Sequence, residues 1–199
     1  KTESLLKNWQ KKISYLKVLT IKKTPIGWDS KKWALNQAII NSKNDILIQT
    51  DADCIFEKNW LISIVQPFAD SKIGFVSGPA PLIHSNKFIH SLIEIESLSM
   101  DAFFANVIRK NIPMSCTGRN MGFRKEAFIN VDGYQGISNQ ISGDDDLLLQ
   151  KISSSSKWLI SFVFNQNAIV ESPGPESIET FIIQRLRWAS KGLKYYDLP

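Results

Sequence analysis

Three short runs carry residue types that could do chemistry. Asp51-Ala52-Asp53 sets two carboxylates at i and i+2. In extended backbone, residues two apart point to the same side, so both can converge on one point. A hard divalent cation takes oxygen ligands, and needs few from protein when phosphates supply the rest. A polar turn closing a strand would use Asp as readily, so this pair gains weight only from its company. Asp144-Asp145-Asp146 puts three carboxylates side by side. Such crowding raises a pKa or calls for a cation, and a carboxylate at a helix start facing a pocket is a candidate general base. Helix capping accounts for one or two of them. The third run is Gln184-Arg185-Leu186-Arg187-Trp188. Gln184, Arg187 and Trp188 share one helical face. An Arg beside a Trp offers a fork for phosphate and a flat ring for a sugar, although an ordinary amphipathic helix would look similar.

The elements that must position these runs alternate between helix and strand. Residues 3–13 show helical spacing, with Thr2 as N-cap. Residues 15–22 (YLKVLTIK) are rich in β-formers and predict a strand, ended by Pro25 and Gly27. Ser30 can cap a helix over 31–41. Residues 45–50 form a buried strand that leads into Asp51 and Asp53. Further helices are expected over 57–69, 87–109, 125–130, from the Asp144–Asp146 run to about 153–156, and from 175 or 176 to about 194. Strands are expected over 73–77, 158–164 and 168–171, with a Gly-rich polar segment from Met114 to Lys125. This order predicts an α/β domain with a mixed, mostly parallel sheet flanked by helices. In such sheets ligands gather beyond the carboxyl ends of the strands, where Asp51 and Asp53 fall.

Composition narrows the partners. The chain has 199 residues, a formal net charge of +5 and two cysteines. It suits one domain with a real core. The positive balance favours phosphates, nucleotides or an acidic lipid surface, and nucleic acid is not expected because no dense basic run or zinc-ligand pattern is present. Two cysteines, Cys54 and Cys116, make no disulfide framework and fit a reducing compartment.

Taken in order, the three runs resemble the motifs of glycosyltransferase family 2, inverting enzymes of the GT-A fold. The family's DxD matches Asp51-Ala52-Asp53. Its Glu-Asp-x-Asp-Leu motif matches Gly143-Asp144-Asp145-Asp146-Leu147, with Gly for the usual Glu. Its QxxRW motif, typical of the branch with polysaccharide synthases and ceramide glucosyltransferase, matches Gln184–Trp188 at every fixed position. Lys32-Trp33-Ala34-Leu35-Asn36-Gln37-Ala38 looks like its G-K-x-x-A-L-N-x-A segment. Gly118–Phe128 looks like G-x-N-M-x-x-R-K-E-A-F.

The resemblance implies a single GT-A-like catalytic domain over residues 1–199 that moves a sugar from a nucleotide-diphosphate sugar, in first place a UDP-sugar, to a hydroxyl on a glycan or lipid. It implies Mg²⁺ or Mn²⁺ held by Asp53 and Asp51, with Asp51 also on the donor side. Asp144 would be the base, with Asp145 the alternative if the register slips by one. Arg187, Arg185 and Lys32 would bind the donor diphosphate. Trp188, Gln184, Gly118 and Asn120 would border the acceptor. A sugar nucleotidyltransferase, or an inactive nucleotide- or glycan-binding fragment, stand as alternatives. The family's first strands are expected to precede this chain in an extension of about 40–50 residues, and to fill the sheet between the strands at 15–22 and 45–50. A basic, aromatic C-terminal helix over 176–196, with Leu193-Lys194-Tyr195-Tyr196, suits a bilayer interface and a place at the cytoplasmic face of a membrane.

Overall fold

The computed structural model describes residues 2–83 and 88–189. Its helices are α1 (Thr2–Lys12), α2 (Ser30–Asn41), α3 (Trp60–Val65), α4 (Phe88–Arg109), α5 (Lys125–Asn130), α6 (Asp146–Ser154) and α7 (Ile178–Ala189). Its strands are β1 (Ile46–Gln49), β2 (Ile55–Phe56), β3 (Ile73–Ser77), β4 (Leu82–Ile83), β5 (Met121–Arg124), β6 (Leu159–Phe162) and β7 (Val170–Pro173).

The main sheet runs β1-β5-β3-β6, and a smaller one runs β2-β7-β4. The mixed α/β sheet flanked by helices is as the sequence predicts. Its parallel pairings are β3–β6 and β4–β7. The pairs β1–β5, β3–β5 and β2–β7 are antiparallel, so the parallel share among the described residues is smaller than expected. In the main sheet the antiparallel share comes from β5, which lies between β1 and β3.

Alternation along the strands divides the core in two. Leu47, Phe75 and Phe123 point to a cluster with Phe128, Tyr134, Leu147–Leu149 and Ile152, from α5, α6 and the loop between them. Ile46, Ile48 and Val76 point the other way, to Trp60, Ile64 and Phe68 of α3 and the 3-10 turn after it. This alternation holds the register that delivers the chemistry to one edge. Gln49 lies opposite Met121, and Met121 opposite Ser77. The carboxyl ends of β1 and β3 and the entry to β5 therefore share one rim. Asp51 and Asp53 follow β1 on that rim, and Gly118–Asn120 precede β5 there.

Several sequence expectations give way here. Residues 15–22 are not a strand; they run irregularly from α1 toward α2, with Tyr15 and Leu19 exposed. β-propensity becomes a strand only beside a pairing edge, and none of the described strands lies alongside. Conversely, the polar segment 114–125 holds β5. Gly122 sits where a Cβ would lie 2.4 Å from Ile48 Cδ1 and 3.1 Å from the Leu47 carbonyl oxygen, so the glycine that makes the segment look like loop permits close strand approach. α2 is capped by Asp29, whose Oδ1 accepts from the backbone N–H groups of Lys31 and Lys32 at 3.1 Å each, and not by Ser30. The helix expected over 57–69 divides into α3 and a 3-10 turn containing Pro67. Within the described residues the last helix is Ile178–Ala189, and Leu193–Tyr196 lie outside them. No helix of the described residues is long and apolar enough to cross a membrane.

Candidate active site

The three runs line one cavity of about 770 Å³ on the rim of the main sheet. Asp51 and Asp53 stand on the turn that links β1 in the main sheet to β2 in the small one. The turn is closed by the Cys54 N–H donating to the Asp51 carbonyl at 3.3 Å. Asp144–Asp146 arrive at the start of α6, and Gln184, Arg185, Arg187 and Trp188 come from α7.

The acidic run at α6 has a distinct task for each residue. Asp145 is the N-cap: its Oδ1 accepts from the Asp146 N–H at 2.8 Å, and its Oδ2 accepts from the Gly118 N–H at 2.9 Å. It ties the Gly118 loop to the helix. Asp146 is buried, and its Oδ1 accepts from the Leu147 N–H at 2.9 Å. Asp144 is the residue whose carboxylate meets cavity groups. Its Oδ2 accepts from Gln49 Nε2 at 3.1 Å and pairs with Lys31 Nζ at 3.0 Å. The same ammonium lies 3.5 Å from Asp51 Oδ1, so one lysine bridges two of the three runs. Burial works against the Lys31 charge, but Asp144 and Asp51 together outweigh it, and its pKa is raised.

Gly143, where the family has Glu, has a structural reason. Its φ is +83°, and a Cβ there would lie 2.4 Å from Leu147 Cδ1. Only glycine takes that backbone region without strain. Ser142 also has a positive φ, 88°. What holds this bend is Lys32. It is fully buried, and its ammonium donates to the carbonyls of Gln140, at 2.6 Å, and of Ser142. Burial lowers its pKa, with Asp144 and Asp29 opposing. Lys32 does not line the cavity; its neighbour Lys31 does.

Asn120 also lies beneath the cavity and not in its wall. It is fully buried and accepts from Trp60 Nε1 at 3.0 Å. Its amide donates to the carbonyls of Pro79 at 2.8 Å and Ala168 at 2.7 Å. These bonds join α3, the segment before β4 and the segment before β7. Gly118 does line the cavity.

On α7, Arg185 already has partners. It forms a two-point ion pair with Glu96 of α4, through Nε at 2.7 Å and through Nη2. It also donates to Gln184 Oε1 at 2.8 Å. Its guanidinium lies 4.4 Å from the Phe181 ring centroid and 4.3 Å from that of Trp188. Arg187, next along, is exposed at the cavity.

Sequence reasoning missed Lys31, Gln49, Asp101, Arg119 and Ser172, all at or beside this cavity. A signal existed for Lys31: in G-K-x-x-A-L-N the lysine precedes the Ala by three, and counting back from Ala34 reaches Lys31. Nothing in the sequence singles out Asp101, which is buried on α4 and accepts from the Ala80 N–H at 2.9 Å. Burial pushes its pKa up to about 6, against the pull of that N–H and of Arg119.

Among the described residues no group of three or more His, Cys, Asp or Glu could hold a metal by itself. Asp51 and Asp53 offer two carboxylates on one open turn. That suits a hard cation completed by waters and phosphate oxygens, and does not suit a closed protein cage.

A GT-A-type sheet whose strand-end rim carries two acidic runs and a Gln/Arg/Trp helix defines a glycosyltransferase domain. Residues 1–191 match the family described as glycosyltransferase like family 2, and the chain belongs to that family. It is 26% identical over 206 residues to the beta-monoglucosyldiacylglycerol synthase of Trichormus variabilis, covering 100% of this chain and 42% of that protein. The chain thus spans less than half the length of this curated relative. Among solved structures, the mannosyltransferase PcManGT of Pyrobaculum calidifontis, in complex with GDP-Man and Mn²⁺, superposes with a TM-score of 0.67 at 19% identity. That match covers 98% of this chain and 50% of the other. Glucosyl-3-phosphoglycerate synthase of Mycobacterium tuberculosis, with Mn²⁺, UDP-glucose and glycerol 3-phosphate, matches at a TM-score of 0.50 and 15% identity, over 90% of this chain and 58% of that one. These likenesses establish the fold.

Proposed function

We propose that the protein containing this domain is an inverting glycosyltransferase of the QxxRW branch, moving a sugar from a nucleotide-diphosphate donor, in first place a UDP-sugar, to a hydroxyl acceptor. The observation that carries this reading is the shared lysine: Asp144 and Asp51 meet on Lys31 in one cavity, at 3.0 and 3.5 Å. Asp144 serves as the base. It takes the proton from the acceptor hydroxyl as that oxygen bonds to the anomeric carbon. The bond from that carbon to the diphosphate breaks, and the diphosphate leaves with the electron pair. Inversion follows from attack opposite the leaving group. Gln49 and Lys31 hold the Asp144 carboxylate in place. Asp145, spent on the helix cap and the Gly118 loop, positions this group and does not replace it.

Mg²⁺ or Mn²⁺ held by Asp51 and Asp53 would offset charge on the departing diphosphate. Lys31 takes the donor-side place that the resemblance assigned to Lys32, with Arg187 lining the same cavity. Arg185 instead braces Trp188, which offers its ring to a sugar.

The acceptor side of the cavity is apolar, with Met100, Phe103 and Met114 each 40–47% exposed. α4 continues outward with exposed Leu92 and Ile95, and α7 with exposed Ile178, Ile182 and Leu186. Such faces favour a lipid-linked acceptor and a place at the cytoplasmic face of a membrane. The free edge of β1 among the described residues, with exposed Leu5, Leu6 and Trp9 on α1, supports a preceding segment that adds a strand there. The test is donor turnover by the full-length protein with a panel of nucleotide sugars. Release of UDP that stops with EDTA and in Asp53→Ala supports the reading. Pyrophosphate-dependent formation of a nucleoside triphosphate overturns it.

A further inference from the structure

Arg119 carries the inference. It follows Gly118 on the loop before β5 and lines the cavity with Asp51, Asp53 and Asp101. Two struts fix its guanidinium. Nε donates to Thr117 Oγ1 at 3.3 Å, and Nη1 donates to Ser172 Oγ at the mouth of the small sheet. Both struts are neutral hydroxyls. Among the described residues no carboxylate lies within 4 Å of this cation, and its Nη2 donates to nothing.

That arrangement contrasts with the other arginine of the cavity wall. Arg185 spends its fork on Glu96 and its faces on two rings. Arg119 is fixed in direction with donors unspent. Burial lowers its pKa despite the opposing pull of Asp101, Cys54, Asp51 and Asp53. A guanidinium stays charged in proteins, and a desolvated charge without a partner is costly. A phosphate oxygen entering beside Asp51 and Asp53 would supply the missing anion with the two-point geometry that suits Arg.

We infer that Arg119, oriented by Thr117 and Ser172, is a phosphate-binding residue of this site. The inference rests on the glycosyltransferase reading only for the source of the phosphate, either the donor diphosphate or a phosphate on the acceptor. Asp101 lines the same cavity and is the strongest of the carboxylates that pull on this charge, from beyond ion-pair distance.

The experiment uses full-length protein and the variants Arg119→Ala and Arg119→Lys, which keeps the charge and loses the fork. Calorimetry measures inorganic pyrophosphate binding with Mn²⁺. It then measures inorganic phosphate binding to protein saturated with UDP and Mn²⁺. Loss of a charge-assisted bond weakens binding by about 10- to 100-fold. If pyrophosphate affinity falls by that factor in both variants, Arg119 reads the donor diphosphate. If pyrophosphate binding holds and the second phosphate is lost, it reads the acceptor. Ser172→Ala, which frees the guanidinium without removing it, should give a smaller loss in the same arm. Affinities within twofold of wild type in both arms, for a folded Arg119→Ala or, if that variant does not fold, for Arg119→Lys, overturn the inference. Should wild-type protein bind pyrophosphate through Arg119 yet release no diphosphate from any nucleotide sugar, the glycosyltransferase reading fails and this inference stands.

Discussion

Replacing Asn120 should unfold the site from beneath, and should not simply weaken acceptor binding. Asn120→Ala strands two buried groups at once, the Trp60 indole N–H and the Ala168 carbonyl, and leaves the Pro79 carbonyl with one of its two donors, the Val170 N–H at 3.1 Å. A stranded buried polar group costs roughly 1–3 kcal/mol, less where water reaches it. Two, with the weakened Pro79 carbonyl, give about 2–4 kcal/mol after partial relaxation, a large fraction of the roughly 5–15 kcal/mol that stabilises a domain. At about 2–4 °C per kcal/mol for a chain of this size, the melting temperature should fall by roughly 10 °C. Gly78→Ala reaches the same knot from the opposite side, because its Cβ would lie 2.6 Å from Asn120 Nδ2. It should lower the melting temperature with the same signature. Thermal unfolding by circular dichroism, set beside acceptor KM, is the assay. An Asn120→Ala protein with an unchanged melting temperature and a raised acceptor KM would refute this account and restore Asn120 to the acceptor site.

Other expectations follow from single contacts. Gly143→Ala meets both a left-handed backbone and the Leu147 side chain; it should cost about 1–3 kcal/mol in thermal unfolding and lower kcat by displacing Asp144. Lys31→Met and Lys32→Met should separate: the first lowers kcat or raises donor KM at nearly unchanged melting temperature, and the second lowers melting temperature by freeing the bend at Ser142. Asp101 gives a pH signature. Burial raises its folded pKa to about 6, from 3.8 for a free aspartate. The native state therefore holds a proton that the unfolded state has lost, and stability falls as pH rises between those two values. Asp101→Asn keeps the acceptor for Ala80 and removes the penalty. Urea titrations should show it more stable than wild type by about 2–3 kcal/mol above pH 7, with the gap closing near pH 4. A constant gap across pH would count against a buried, ionising Asp101.

Much of the site was legible because its chemistry lies in short runs. Asp51/Asp53, Asp144 and Gln184–Trp188 meet in one cavity, as their order and types suggest. What the sequence hides is phase and partnership. Lys31 and Lys32 are adjacent, yet about 100° of helix turn sends one to the cavity and the other into the core. Asn120 and Arg119 stand side by side in the same way, and alternation buries the first and presents the second. Arg185 looks like a free phosphate fork until Glu96, far away in sequence, is found in its grip. The strand expected at 15–22 fails because propensity is local and an edge to pair with is not. β5 was missed for the converse reason: its glycine reads as a breaker, while the close neighbour that requires it lies on another strand. The Gly at 143 looked like a departure from the motif, and only the backbone angle and Leu147 explain it.

The most direct test of the central claim is Asp144→Asn in the full-length protein, assayed with nucleotide sugar, Mn²⁺ and acceptor. Donor affinity and release of free nucleoside diphosphate are measured on the same preparation. The expected result is donor binding close to wild type with turnover reduced by about 100-fold or more, the loss of a general base. Turnover that survives Asp144→Asn would contradict the assignment of the base and, with it, the reading of this cavity.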